Sequence, residues 1–158
     1  MPSEITIYTD GASSGNPGPG GFGVVLISGK HRLEKSAGYR LTTNNRMELL
    51  AVIEGLESLK ISGSRVVVYT DSKYVADSVE KGWVFQWESK VFKKKKNSDL
   101  WIRFLKIYRK HNVRFVWIKG HANNTENEIC DQLAVEASKG ILLEDIGYCP
   151  EDVTNMLL

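Results

Sequence analysis

The sequence predicts an α/β fold: a mixed five-stranded sheet, three antiparallel strands followed by parallel ones, with helices on both faces. Three observations carry that expectation. Three β-type runs near the start are joined by short connections, which favour an antiparallel meander. From residue 44 onward helical and extended patterns alternate, which favours right-handed crossovers and strands that return parallel. Val66-Val67-Val68-Tyr69 is a near-continuous apolar run, the kind that a parallel sheet buries on both faces. The 158 residues fit one domain spanning 1–158, with a C-terminal tail from about 149 to 158 whose docking the sequence does not decide.

Each element has its own local cause. Ile5 to Thr9 alternates and is β-branched, so it reads as a strand, with Asp10 at its end. Gly11 to Gly21, rich in glycine and proline, reads as a loop. Phe22 to Ile27 is the second strand, Ser28-Gly29-Lys30 a turn, and Leu33 to Tyr39 the third strand. Asn44 to Lys60 is a helix, because Leu49, Val52, Ile53 and Leu56 recur at helical spacing. Thr43 or Asn44 caps its start and Gly63 follows its end. Arg65 to Tyr69 is the fourth strand. Ser72 caps a second helix to about Lys81, and Gly82 stops it. Residues 83–98 are aromatic, lysine-rich and helical in part. Asp99 to Lys110 is a helix, Val113 to Ile118 a strand, Lys119 to Thr125 a loop and Glu126 to Lys139 the last helix.

Composition narrows the function. At 42% hydrophobic and 25% charged the chain is globular in type, not disordered or fibrous. No apolar run approaches the roughly 20 residues of a membrane span. The start, Met1-Pro2-Ser3-Glu4, lacks the marks of a secretory signal, so a cytoplasmic protein with no membrane partner is expected. Cys130 and Cys149 fit neither a disulfide framework nor a paired zinc motif. No amphipathic stripe is left over, so a monomer without an obligate protein partner is expected. Net charge is only +2, but five lysines fall among the seven residues 90–96. Such a block contacts an anionic partner or is a solvated loop.

The acids are the chemical signal. Asp10 ends the first strand and Asp71 follows the fourth. If those strands are parallel neighbours, both carboxylates share the sheet edge where open α/β sheets bind ligands. Glu48 lies in the first turns of a helix, beside the polar Thr42-Thr43-Asn44-Asn45 segment, and Asp131 lies early in the last helix. Each alone reads as an exposed acid or a cap. Together they repel, and a hard divalent cation relieves that repulsion. Two such ions about 4 Å apart can activate water and stabilise the departing oxygen of a phosphodiester. Zinc fits less well, since His121 has no second histidine or cysteine at ligand spacing.

Four blocks, in order, carry a resemblance. They are Tyr8-Thr9-Asp10-Gly11-Ala12 with Gly15-Asn16-Pro17-Gly18-Pro19-Gly20-Gly21; Thr42-Thr43-Asn44-Asn45-Arg46-Met47-Glu48-Leu49; Thr70-Asp71-Ser72 with Tyr74-Val75; and Trp117-Ile118-Lys119-Gly120-His121-Ala122 with Glu126-Asn127-Glu128 and Cys130-Asp131. Over about residues 5–148 the chain resembles bacterial type 1 ribonuclease H. The resemblance implies a ribonuclease H-like sheet and a metal-dependent endonuclease. That enzyme hydrolyses the RNA strand of an RNA–DNA hybrid duplex to 5′-phosphate and 3′-hydroxyl ends. It implies that Asp10, Glu48, Asp71 and Asp131 hold two Mg²⁺ ions, with Mn²⁺ a possible substitute. It also implies that His121 moves a proton or helps release product, and that Thr43 and Asn97 grip a phosphate of the DNA strand. The alternatives are another nuclease or integrase domain of the same fold, and a hybrid-binding module without catalysis.

Recognition of a hybrid needs a probe of the 2′-hydroxyl. Backbone groups of residues 11–16 and the amides of Asn16, Asn44 and Asn45 have that chemistry. Residues 83–101 interleave Trp83, Phe85, Trp87, Phe92 and Trp101 with Lys90 and Lys93 to Lys96. This resembles the family's basic protrusion, with Lys94, Lys95 and Trp83 against nucleic acid and at least half of the rings packed in the core. Two positions depart from the family: Leu41, where a basic residue often helps the phosphate pocket and for which Arg40, one place earlier, is the candidate replacement, and Lys73, where glutamine is frequent.

Overall fold

The computed structural model describes residues 4–120 and 124–149. Three long strands come first: β1 (Ile5–Ser13), β2 (Gly18–Ser28) and β3 (His31–Thr42). Then follow α1 (Asn44–Glu57), β4 (Arg65–Thr70), α2 (Lys73–Glu80), α3 (Trp83–Ser89), α4 (Ser98–Tyr108), β5 (Asn112–Trp117), α5 (Thr125–Lys139) and β6 (Leu142–Leu143). The sheet order is β5-β4-β1-β2-β3-β6. β1, β2 and β3 pair antiparallel, whereas β4 lies parallel to β1 and β5 parallel to β4. The mixed sheet is therefore as expected, with one strand more. β6 pairs parallel with β3 through only Gly38↔Leu142 and Tyr39↔Leu143. Two residues are too few to leave a periodic signal, which is why the sequence predicts five strands.

The glycine-rich run is the main correction. It is not a loop from 11 to 21. The β1–β2 ladder continues through Gly11↔Phe22, Ala12↔Gly21 and Ser13↔Gly20, and the connection is confined to residues 14–17. The glycines serve close packing. A Cβ on Gly11 would lie 2.4 Å from the backbone nitrogen of Glu48 in α1. One on Gly23 would lie 2.2 Å from the Cys130 carbonyl in α5, and one on Gly21 2.5 Å from that of Ala134.

Side chains alternate across a strand, so neighbours 21, 23 and 22, 24 of β2 face opposite ways. Gly21 and Gly23 meet α5, while Val24 meets Gly55 of α1. The two long helices thus cover opposite faces. α1 is buried almost all round, from Arg46 to Leu56 except at Glu54, because α4 covers its outer side. Its core partners include Ile7, Phe22, Val24, Val68, Trp101 and Phe104. Thr43 is its cap, accepting the Arg46 N–H at 3.2 Å. The helix ends at Glu57, three residues before the expected Lys60, where the Ser58 N–H turns back to Gly55 and Leu56. Ser72 caps α2 through the Val75 N–H, as its sequence predicts, and Gly82 follows with φ +77°.

Candidate active site

The parallel pairing of β1 with β4 matches Tyr8 to Tyr69. Two residues further along each chain stand Asp10 and Asp71, so the register itself brings them side by side. Glu48 arrives from above, on the second turn of α1, where the backbone rests against Gly11. Oxygen atoms of Asp10, Glu48 and Asp71 all lie within 4.8 Å of one another. Asp131, on α5, lines the same cleft of about 470 Å³. α5 is held there by its approach to Gly21 and Gly23, and by buried Asn127, whose amide donates to the Thr9 carbonyl at 3.3 Å. Sequence reasoning gives Asn127 no role of its own. The signal that could have found it is its place four residues before Asp131, on the same side of one helix.

Burial makes this cluster costly. Asp10 is 7% exposed and Glu48 8%. Burial first, then the charge of Asp71, raises the Asp10 carboxyl to about 7. Burial followed by the charges of Asp10 and Asp71 drives Glu48 well above its ordinary range. The Glu48 Oε2 atom is buried without a hydrogen-bond partner. An unpaired buried oxygen costs about 1–3 kcal/mol or more, so something is expected to satisfy it. An all-oxygen donor set of clustered acids suits a hard divalent cation.

The other expected site residues fall into three groups. Asn44 and Asn45 line the cleft beside the acids. The Asn44 N–H donates to Asn16 Oδ1 at 3.1 Å, and Asn44 Oδ1 accepts the Ser13 N–H at 2.8 Å. The β1–β2 turn is thus stitched to the start of α1. Thr43 and Asn97 are drawn together around one residue, Arg46: its N–H donates to the Thr43 hydroxyl, and its Nη1 to Asn97 Oδ1 at 3.4 Å. In the third group, Lys94 and Lys95 are exposed, with the Lys95 ammonium 5.3 Å from the Trp87 ring, and Trp83 is 40% exposed. Phe92 and Trp101 are buried, and Phe85 and Trp87 pack on the core, so four of the five rings are packing. His121 lies outside the described residues. The backbone just before it passes the acids, since a Cβ on Gly120 would sit 3.2 Å from Asp71 Oδ2. Arg40 is exposed and paired with Glu144 at 2.7 Å, and Leu41 is an exposed apolar side chain. Lys73 lines the cleft with its ammonium 4.8 Å from the Trp117 ring.

Fold and site together define a class: α/β enzymes that gather acids at a sheet edge to hold divalent cations. The ribonuclease H family model matches residues 2–139. The ribonuclease H of Trichodesmium erythraeum (strain IMS101) is 56% identical over 152 residues, covering 92% of this chain and 96% of that protein. Among solved structures, LC9-RNase H1, a type 1 RNase H with the type 2 active-site motif, superposes with a TM-score of 0.80 at 33% identity. That match covers 89% of this chain and 74% of the other. LC11-RNase H1 in complex with an RNA/DNA hybrid gives 0.65 at 31% identity, over 85% of this chain and 96% of the other. The chain belongs to the ribonuclease H family, in its bacterial type 1 branch. It is an enzyme, a ribonuclease H acting as an endonuclease on RNA–DNA hybrids.

Proposed function

We propose that the RNA strand of a bound hybrid is hydrolysed with two Mg²⁺ ions held among Asp10, Glu48, Asp71 and Asp131, with Mn²⁺ an acceptable substitute. The observation that carries this is the buried, unpartnered Glu48 Oε2 among three carboxylates within 4.8 Å. Bound divalent ions would supply charge to activate water and to stabilise the leaving 3′-oxygen, giving 5′-phosphate and 3′-hydroxyl ends. The chain's own groups do the rest. The acids would hold the ions in place; Asn127 and the helix contacts at Gly21 and Gly23 hold Asp131 in the cleft wall. His121 moves a proton or helps product leave.

Substrate is held on either side of the acids. Asn16, Asn44, Asn45 and the adjoining backbone read the sugars, where a 2′-hydroxyl both donates and accepts. Thr43 and Asn97 grip a phosphate of the DNA strand. Lys94 and Lys95 add sequence-independent attraction, and Trp83 offers an exposed ring to a sugar. The enzyme acts as one domain and as a monomer in the cytoplasm, a setting that suits two cysteines not joined in a disulfide. Among the described residues no helix is long and apolar enough to cross a membrane.

The test is cleavage of an end-labelled hybrid with and without Mg²⁺, for the wild type and for Asp10→Asn. The amide keeps the shape and loses the charge, so cleavage is expected to vanish while hybrid binding persists. Wild-type rates from the Asn variant would refute the two-ion assignment.

A further inference from the structure

Arg46 is the most connected polar residue among those described, and neither ion binding nor the grip on substrate uses its side chain directly. It is 2% exposed in the middle of the core. Its Nε and Nη2 donate to Asp145 at 2.7 and 2.8 Å, and its Nη1 and Nη2 to Asp99 at 2.9 and 2.7 Å. Asp145 belongs to the segment after β6, and it also accepts the Thr42 hydroxyl at 2.7 Å. The same segment closes over the pair: the Tyr148 ring lies 6.0 Å from the guanidinium, and Gly147 touches Asp99 so closely that a Cβ would fall 1.8 Å from Oδ2. The fifth guanidinium hydrogen bond goes to Asn97 Oδ1.

That hydrogen bond decides what Asn97 presents. A guanidinium only donates, so the end of the Asn97 amide beside it is the oxygen. The nitrogen then faces the other way, where Nδ2 donates to the Tyr74 hydroxyl at 3.1 Å. The Tyr74 oxygen also accepts the Trp101 indole N–H at 2.8 Å. With both lone pairs taken, Tyr74 has only its own proton left to give, and Asn97 has one further N–H. Neither proton has an acceptor among the described residues. Asn97 itself precedes α4 at φ +63°, a left-handed conformation that asparagine adopts more readily than most residues.

We infer that Arg46, fixed by Asp145 of the C-terminal segment, is the positioning residue that turns the Asn97 amide donor-outward. The DNA-strand phosphate is thereby met by N–H and O–H groups and not by a carbonyl oxygen. The inference rests on the proposed phosphate grip of Thr43 and Asn97. The C-terminal segment is then a brace for substrate binding, although it lies in a different part of the chain from the acids.

The experiment compares Asp145→Asn, Gly147→Ala and Asn97→Ala in steady-state cleavage of a hybrid. Arg103→Ala, which removes two surface ion pairs, with Glu54 and with Glu57, serves as a stability control. Gly147→Ala loosens the brace without removing a charge, so the test survives if Asp145→Asn folds poorly. Both brace variants are expected to raise KM about three- to tenfold, the effect of a lost hydrogen bond, with kcat within twofold. Adding Asn97→Ala to either is expected to raise KM no further. If Asn97→Ala raises KM and both brace variants leave it at the wild-type value, Arg46 is structural and the inference fails alone. If Asn97→Ala leaves KM unchanged, the phosphate grip fails and takes the inference with it.

Discussion

Asp10 shows most sharply how one residue couples stability to chemistry. Its carboxyl sits at about 7, raised from 3.8 by burial and then by Asp71. The folded state therefore binds the proton more tightly than the unfolded chain. Stability of the metal-free protein falls as pH rises from about 4 to 7, because over that window the native state holds a proton that the unfolded state has released. The expected loss is of order 1–3 kcal/mol, less than the full shift implies, since the acids titrate together. Urea melts in a chelator at pH 5 and pH 8 measure it. The wild type is expected to be the less stable at pH 8, and Asp10→Asn to narrow the gap. Cleavage follows the opposite sense: protons compete with cations for the acids, so activity in limiting Mg²⁺ is expected to fall steeply as pH drops through about 7.

At the scale of elements, the site depends on how closely two helices approach the sheet. The approach of α5 to Gly23 carries Asp131 to the cleft. Gly23→Ala puts a methyl group where the Cys130 carbonyl lies 2.2 Å away, so α5 must move outward. The expected cost is about 1–3 kcal/mol, the usual penalty of overpacking. Activity is expected to fall further than stability alone explains, and circular dichroism beside cleavage rates separates the two. The lysine run belongs to another element, the link between α3 and α4. Lys93 to Lys96 are all exposed. Replacing all four by alanine is expected to raise KM and leave kcat largely intact. The slope of log affinity against log salt is expected to flatten by about 0.7–0.9 for each phosphate that the variant no longer neutralises. An unchanged slope would mean that the run is only a solvated loop.

The whole molecule is built on one hydrophobic cluster that spans the sheet, α1 and α4, while the acids crowd one end of it. That arrangement leaves electrostatic repulsion stored in the folded state, and a bound cation releases it. Mg²⁺ at about 100 times its dissociation constant is expected to stabilise the fold by roughly 2.7 kcal/mol, with a Tm rise of the order of 5–10 °C for a chain of this size. Removing the ion is expected to abolish cleavage without unfolding the protein. Differential scanning calorimetry with Mg²⁺ and with chelator checks both the sign and the size. Equal melting temperatures would mean that the cluster does not hold the ion.

Much of this was determined by the sequence alone, and the physical reason is locality. Helical spacing in α1, the Ser72 cap and the β-branched run of β4 depend on neighbours a few residues away, so they are written in the string. The four acids were legible too, because each stands in a distinctive block, although Asp10 lies within β1 and Asp131 in the middle of α5 and not at their ends. What tertiary structure decided depends on atoms far apart in the chain. The glycine run at residues 11–21 has loop composition, yet it pairs as strand because α1 and α5 press on it from opposite faces. β6 exists only because β3 offers it an edge. Four of five rings between residues 83 and 101 pack inward, a choice made by the core and not by their spacing. Arg46 is charged and stands beside two polar asparagines, so its sequence gives no sign of burial. Its two acid partners lie 53 and 99 residues away, and only folding brings them to it.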